Sequence, residues 1–104
     1  MPYYRALLPL LNFVETPDGL WSNDAGFSLQ FGEADPGSRP YDRRGAGLNH
    51  LGFAAASRNG LLTVARGMAA AGFEVPELQS FGEAEALFLK DPDGLRVEVG
   101  FHAS

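Results

Sequence analysis

Two residues capable of ligation and proton transfer stand inside runs otherwise suited to the interior of a sheet. His50 lies in Leu48-Asn49-His50-Leu51-Gly52-Phe53, and Glu98 lies in Leu95-Arg96-Val97-Glu98-Val99-Gly100-Phe101. A polar side chain in such a run needs a partner or serves a function. An imidazole and a carboxylate brought together can hold a divalent ion, move a proton, or hydrogen-bond across a cleft. The chain has no cysteine, so disulfides, thiolate nucleophiles and sulfur-ligated metals are excluded, and any metal must rest on nitrogen and oxygen donors. Gly45-Ala46-Gly47 lacks the Lys-Ser/Thr ending of a phosphate loop, and no Ser sits in a Gly-x-Ser-x-Gly elbow. Asp91-Pro92-Asp93-Gly94 pairs two carboxylates but reads as turn chemistry. Arg39, Arg43 and Arg44 cluster in a Pro/Gly-rich loop, as a solvated face or as an anion clamp at a site mouth.

The elements that must position these residues follow from periodicity. Tyr3 to Leu11 is apolar at helical spacing, with Pro9 in its last turn. A strand over Asn12 to Thr16 turns at Pro17-Asp18-Gly19 and returns through Leu20-Trp21-Ser22. Phe27, Leu29 and Phe31 alternate with Ser28 and Gln30, the pattern of a half-buried strand. Glu33 to Ala46 is aperiodic and reads as a connecting loop. Leu48 to Ala55 is the next strand; Ser57 caps a helix running to about Ala71, and Gly72 ends it. Phe73-Glu74-Val75 reads as a short strand stopped by Pro76, and Ala86 to Lys90 and Leu95 to Phe101 form a hairpin around Asp91-Pro92-Asp93-Gly94. His102 and Glu85, near strand ends, are expected at the surface.

Leu48 to Phe53, the helix end Ala69-Ala70-Ala71-Gly72-Phe73, and Asp91 to Val99 together span about half the chain. In residue type, order and spacing they resemble the vicinal oxygen chelate superfamily of glyoxalases, bleomycin-resistance proteins and extradiol dioxygenases. The resemblance implies an α+β fold of paired βαβββ modules with curved mixed sheets. The expected division is a first module over residues 1–34, a connecting loop over 35–46 and a second module over 47–104, all within one domain. Aligning Gly26 with Gly94 sets Gln30 opposite Glu98. Aligning Phe13 with Phe73 exposes a deficit: His50 lies 23 residues before Phe73, whereas only 12 residues precede Phe13. The first module therefore lacks its opening strand.

By the same resemblance, His50 and Glu98 match the second module's metal-ligand positions and Gln30 matches one of the first module's. The implied cofactor is a divalent ion (Ni, Mn, Fe or Zn), with Glu98 also the catalytic proton acceptor. Trp21, Phe31 and Arg44 are the expected substrate contacts. The function expected is binding of a small molecule in the sheet cleft, as bleomycin-resistance proteins do. The alternative is a metal-dependent lyase, isomerase or dioxygenase acting on a bidentate oxygen substrate. A missing strand exposes a sheet edge, and a homodimer with strand or module exchange is the expected remedy.

Bulk properties bound the rest. A chain of 104 residues suits one domain. A net charge of -5 opposes nucleic-acid binding, which needs a concentrated basic face. A mean hydropathy of -0.10, with no run near the roughly 18 apolar residues of a membrane span, gives no membrane partner. The N-terminus Met-Pro-Tyr-Tyr-Arg lacks a signal-peptide pattern, and a cytoplasmic location is the expectation.

Overall fold

A computed structural model describes residues 2–45 and 47–102. Helix α1 (Pro2–Leu10) leads into strands β1 (Val14–Glu15), β2 (Leu20–Ser22) and β3 (Ser28–Gln30). After the connecting loop come β4 (His50–Ala54), α2 (Arg58–Ala70), β5 (Gln79–Phe81), β6 (Ala84–Lys90) and β7 (Arg96–His102). The first three strands form an antiparallel sheet in the order β1-β2-β3, and the last four form a mixed sheet in the order β4-β7-β6-β5. Within the mixed sheet β4 runs parallel to β7, while the other pairs are antiparallel. The architecture is α+β, with a helix, then strands, in each half.

Alternation along the strands sets the core. Leu87 and Leu89 on β6 and Val97 and Val99 on β7 are fully buried against Leu61, Val64 and Met68 of α2. Tyr3, Tyr4, Leu7 and Leu8 of α1 join the same cluster, as does Trp21 from β2. The two helices meet where Gly67 lets Leu10 approach: a Cβ there would stand 2.6 Å from a Leu10 methyl. Burial at these positions leaves Ala86, Phe88, Glu98 and Gly100 on the opposite face of the mixed sheet, away from α2.

The two halves share their local motifs residue for residue. Each helix ends with a residue in the left-handed region, Asn12 at φ +66° and Gly72 at φ +92°. The next amide reaches back five residues, Phe13 N–H to Leu8 O at 3.0 Å and Phe73 N–H to Met68 O at 3.1 Å, a Schellman closure. Each hairpin turns on an Asx motif. Asn23 Oδ1 accepts from the amides of Ala25 and Phe27, and Asp91 Oδ1 from those of Asp93 and Leu95. Gly26 and Gly94 both sit at φ +89°, a conformation that costs glycine little.

One expected strand moves. Phe73, Glu74 and Val75 form no strand, and the second strand of the second half is Gln79–Phe81 instead. The Phe73 amide is spent closing α2, its ring packs on Tyr3 at a 4.8 Å centroid distance, and Pro76 follows with no amide to donate. Pairing therefore begins only past the proline.

Candidate functional site

Glu98 lies in the middle of β7, opposite Gly52 on β4 and Phe88 on β6. Its neighbours on that face are small: Gly100 opposite Ala54 and Ala86, then Ala84 opposite His102. The small floor leaves an open cavity of about 700 Å³ over Glu98, Gly100, Ala86 and Ala84, walled by Phe81 and Phe88 and bordered by His102. The two phenylalanines meet edge to face at 6.3 Å. Phe81 is 56% exposed, an apolar ring held open to solvent beside a carboxylate. Glu85, at the rim, is tied to Arg58 of α2 at 2.6 Å, so Glu98 is the carboxylate of the cavity without a cationic partner among the described residues.

The expected ligand set is not assembled. His50 shares the face of Glu98, because its register partner on β7 is Arg96, but the two side chains turn apart. The Glu98 carboxylate lies over Gly100, with Oε2 3.7 Å from where a Cβ on that glycine would be. His50 Nδ1 instead faces Asn49 Oδ1 at 3.1 Å. Gln30 belongs to the other sheet and lines a separate cavity with Tyr3, Tyr4 and Asp91. Among the described residues no three His, Cys, Asp or Glu side chains converge as a metal site would require. The donors present do not fit a divalent ion: two inward groups that diverge leave most of the coordination shell to water.

The expected substrate contacts also redistribute. Trp21 is 5% exposed, with Leu29 opposite, because its side of β2 faces the common core rather than a cleft. Phe31 packs on Tyr4 at 4.7 Å and shares the cavity of Gln30. Arg44 is exposed in the loop, its amide bonded to Asp42 Oδ1, and lines none of these cavities. The loop is pinned next to His50 instead: Tyr41 donates to Asn49 O at 2.6 Å, and Asn49 Nδ2 donates to Arg43 O at 3.1 Å. Phe81, Phe88 and His102 are the cavity residues that sequence reasoning missed. The signal was there in Phe88, which shares the period-two face of Ala86 and Ala84.

A seam separates the two sheets. The outer edges of β3 and β4 pair with nothing described. Between them lies a cavity of about 480 Å³ lined by Leu11, Phe13, Phe27, Leu29, Leu51 and Phe53. Its neighbour along the seam, about 530 Å³, is closed by α1 and the Asp91 turn. There Tyr4 donates to Asp91 Oδ2 at 2.6 Å, and Asp91 is the buried charged residue of the chain's described part. Burial, then the bond to Asp91, raises the Tyr4 phenol far above its ordinary range. Burial, then the charge of Asp91, pushes Tyr3 up to about 12. The Tyr3 hydroxyl is itself buried without a described partner.

An α+β chain with two such half-repeats and an open cavity on the helix-free face of its mixed sheet defines a structural class. No protein-family model matches the sequence, and no curated protein matches it. Solved structures do match. A "glyoxylase/bleomycin resistance protein/dioxygenase domain" from Frankia sp. EAN1pec aligns with a TM-score of 0.70 at 20% identity, over 98% of this chain and 80% of that one. A "putative glyoxalase" from Bacillus halodurans aligns at 0.69 and 22% identity, over 95% and 82%. A glyoxalase/bleomycin resistance protein/dioxygenase from Alicyclobacillus acidocaldarius aligns at 0.54 and 17%, over 97% and 81%. The chain thus has the glyoxalase/bleomycin-resistance/dioxygenase fold, with three described strands in its first half and four in its second.

Proposed function

We propose that this protein binds a small, largely apolar molecule in the cavity over Glu98, without a metal. The observation that carries the reading is the combination of a small-residue floor, two open phenylalanine walls and one unpartnered carboxylate in a space of about 700 Å³. Ligand sites are concave and apolar with few placed polar groups, and a floor of Gly and Ala is what makes a sheet face concave. The metal-dependent enzyme reading loses its support because His50, Glu98 and Gln30 do not converge.

A neutral aromatic probe, 1-naphthalenemethanol, followed by amide NMR on the full chain, tests the proposal. Saturable shifts are expected at Ala86, Phe88, Glu98 and Gly100, and they should persist in excess EDTA. Phe88→Ala should weaken the probe roughly tenfold, in line with loss of an aromatic wall. The absence of a saturable response at those amides, or its disappearance with chelator, would sink the reading.

The same proposal includes a homodimer built on the seam. Two unpaired edges beside exposed Phe27 and Leu48 are a surface that isolated chains tolerate poorly. Light scattering over a concentration series should give a dimer mass that Phe27→Lys converts to monomer; a monomer at every concentration removes this part.

A further inference from the structure

The face that carries Glu98 also carries three basic side chains in a single row. Lys90, the last residue of β6, stands opposite Arg96, the first of β7, and Arg96 stands opposite His50, the first of β4. Cross-strand neighbours on one face are about 5 Å apart. Like charges in that relation are destabilising, and a chain of net charge -5 has no surplus of cations to scatter. Among the described residues none of the three meets a carboxylate, for the ion pairs present are Arg5–Glu15 and Arg58–Glu85. Glu98, the next residue on that face of β7, leans over Gly100 and away from the row.

The fold does not ask for this row. The matching turns place Ser22 and Ser28 at the positions of Lys90 and Arg96, and in the first half those serines stand opposite each other with Val14 beyond. An uncharged row serves the same hairpin geometry there. Beside the basic row a cavity of about 270 Å³ opens between Gln79, Phe88, Leu89, Lys90 and Arg96. Phe88 lines both this cavity and the larger one, so the two adjoin.

We propose that the row Lys90–Arg96–His50 binds an oxyanion group, carboxylate or phosphate, of the ligand whose apolar body rests on Phe88 in the larger cavity; this rests on the ligand-binding reading above. Arg96 supplies a planar, two-pronged donor suited to either oxyanion, and Lys90 a mobile point charge beside it. The His50 ring adds an N–H at the far end of the row. A bound anion removes the repulsion that the empty row carries.

The test is thermal unfolding and amide NMR of the full chain in inorganic phosphate and in acetate, ionic strength held constant with chloride, beside Arg96→Gln and Lys90→Gln. One of the two anions should raise the unfolding temperature saturably and shift amides at Lys90, Arg96 and His50, and the tighter one identifies the group. Arg96→Gln should weaken it roughly tenfold or more. Without anion both variants should be at least as stable as the parent, because each removes a like-charge contact; a structural role would make them less stable. No response to either anion, or equal affinity in Arg96→Gln, overturns the proposal. Naphthalenemethanol binding with no anion response sinks the basic row alone. Anion binding without the naphthalene response overturns the two-part ligand and, separately, the cavity reading.

Discussion

The two halves of this molecule use the same joints and differ in what those joints hold. Asn23 and Asp91 organise equivalent turns, with equivalent amides bonded to equivalent oxygens. Only Asp91 is buried, and only Asp91 also receives a tyrosine hydroxyl from α1. The first half has three short strands and the second has four, because β4 lies along one edge of β7 while the matching outer edge of β3 has no described partner. Local turn chemistry is therefore indifferent to whether a module is complete. Both halves contribute to one core; the added strand and the buried charge at one turn residue mark the second, whose mixed sheet carries the open cavity over Glu98.

The sharpest contrast between the halves should appear in packing. Leu87 on β6 has no solvent exposure, whereas Val14 on β1 is 68% exposed. Leu87→Ala should cost about 2–5 kcal/mol through lost burial and a cavity, and Val14→Ala under about 0.5 kcal/mol, both read from urea unfolding. Similar costs would mean that the β1 side of the first sheet is covered in solution.

The turns should separate next. Asp91→Ala removes two amide bonds and strands the Tyr4 hydroxyl, and should cost about 2–3 kcal/mol. Asn23→Ala removes the same two amide bonds at an exposed site, and about 1 kcal/mol is expected. Equal values would show that the Tyr4–Asp91 bond contributes nothing beyond the turn.

The two tyrosines come last. Both phenols hold their protons more tightly folded than unfolded. The stability this gives is complete below about pH 10, where unfolded tyrosine ionises, and is lost as pH rises through the folded Tyr3 value of about 12. Tyr4→Phe should cost about 1–2 kcal/mol at neutral pH by leaving Asp91 short of a donor. Tyr3→Phe should be neutral or slightly stabilising, since it deletes a buried hydroxyl that has no described partner. Either variant should flatten the alkaline fall in unfolding temperature between pH 10 and 12; an unchanged profile in both would remove the tyrosines as its cause.

Much of this was legible along the chain because it is local. Ser57 caps α2, accepting from the Gly60 amide at 3.0 Å, where a cap was expected. The pairing of Phe13 with Phe73 and of Gly26 with Gly94 followed from sequence spacing, and both pairs occupy matching backbone positions. The opposed Lys90 and Arg96 were within reach as well, since they flank the Asp91–Leu95 turn symmetrically. Side-chain direction was not: His50 and Glu98 share a face as strand periodicity requires, yet one ring turns to Asn49 and the other carboxylate to Gly100. Trp21 illustrates the same limit, since period-two alternation gives two faces but does not say which meets the core.

The sequence by itself determined the helices, most of the strands and the matching turns, because caps and turns depend on residues within a few positions of one another; the strand at Gln79–Phe81 it did not. Which face of each strand is buried, which carboxylate stands unpartnered, and where three basic side chains fall into one row were decided only in the tertiary structure. Those properties arise from strand register and helix placement, which bring together residues up to 87 positions apart, as in the Tyr4–Asp91 bond.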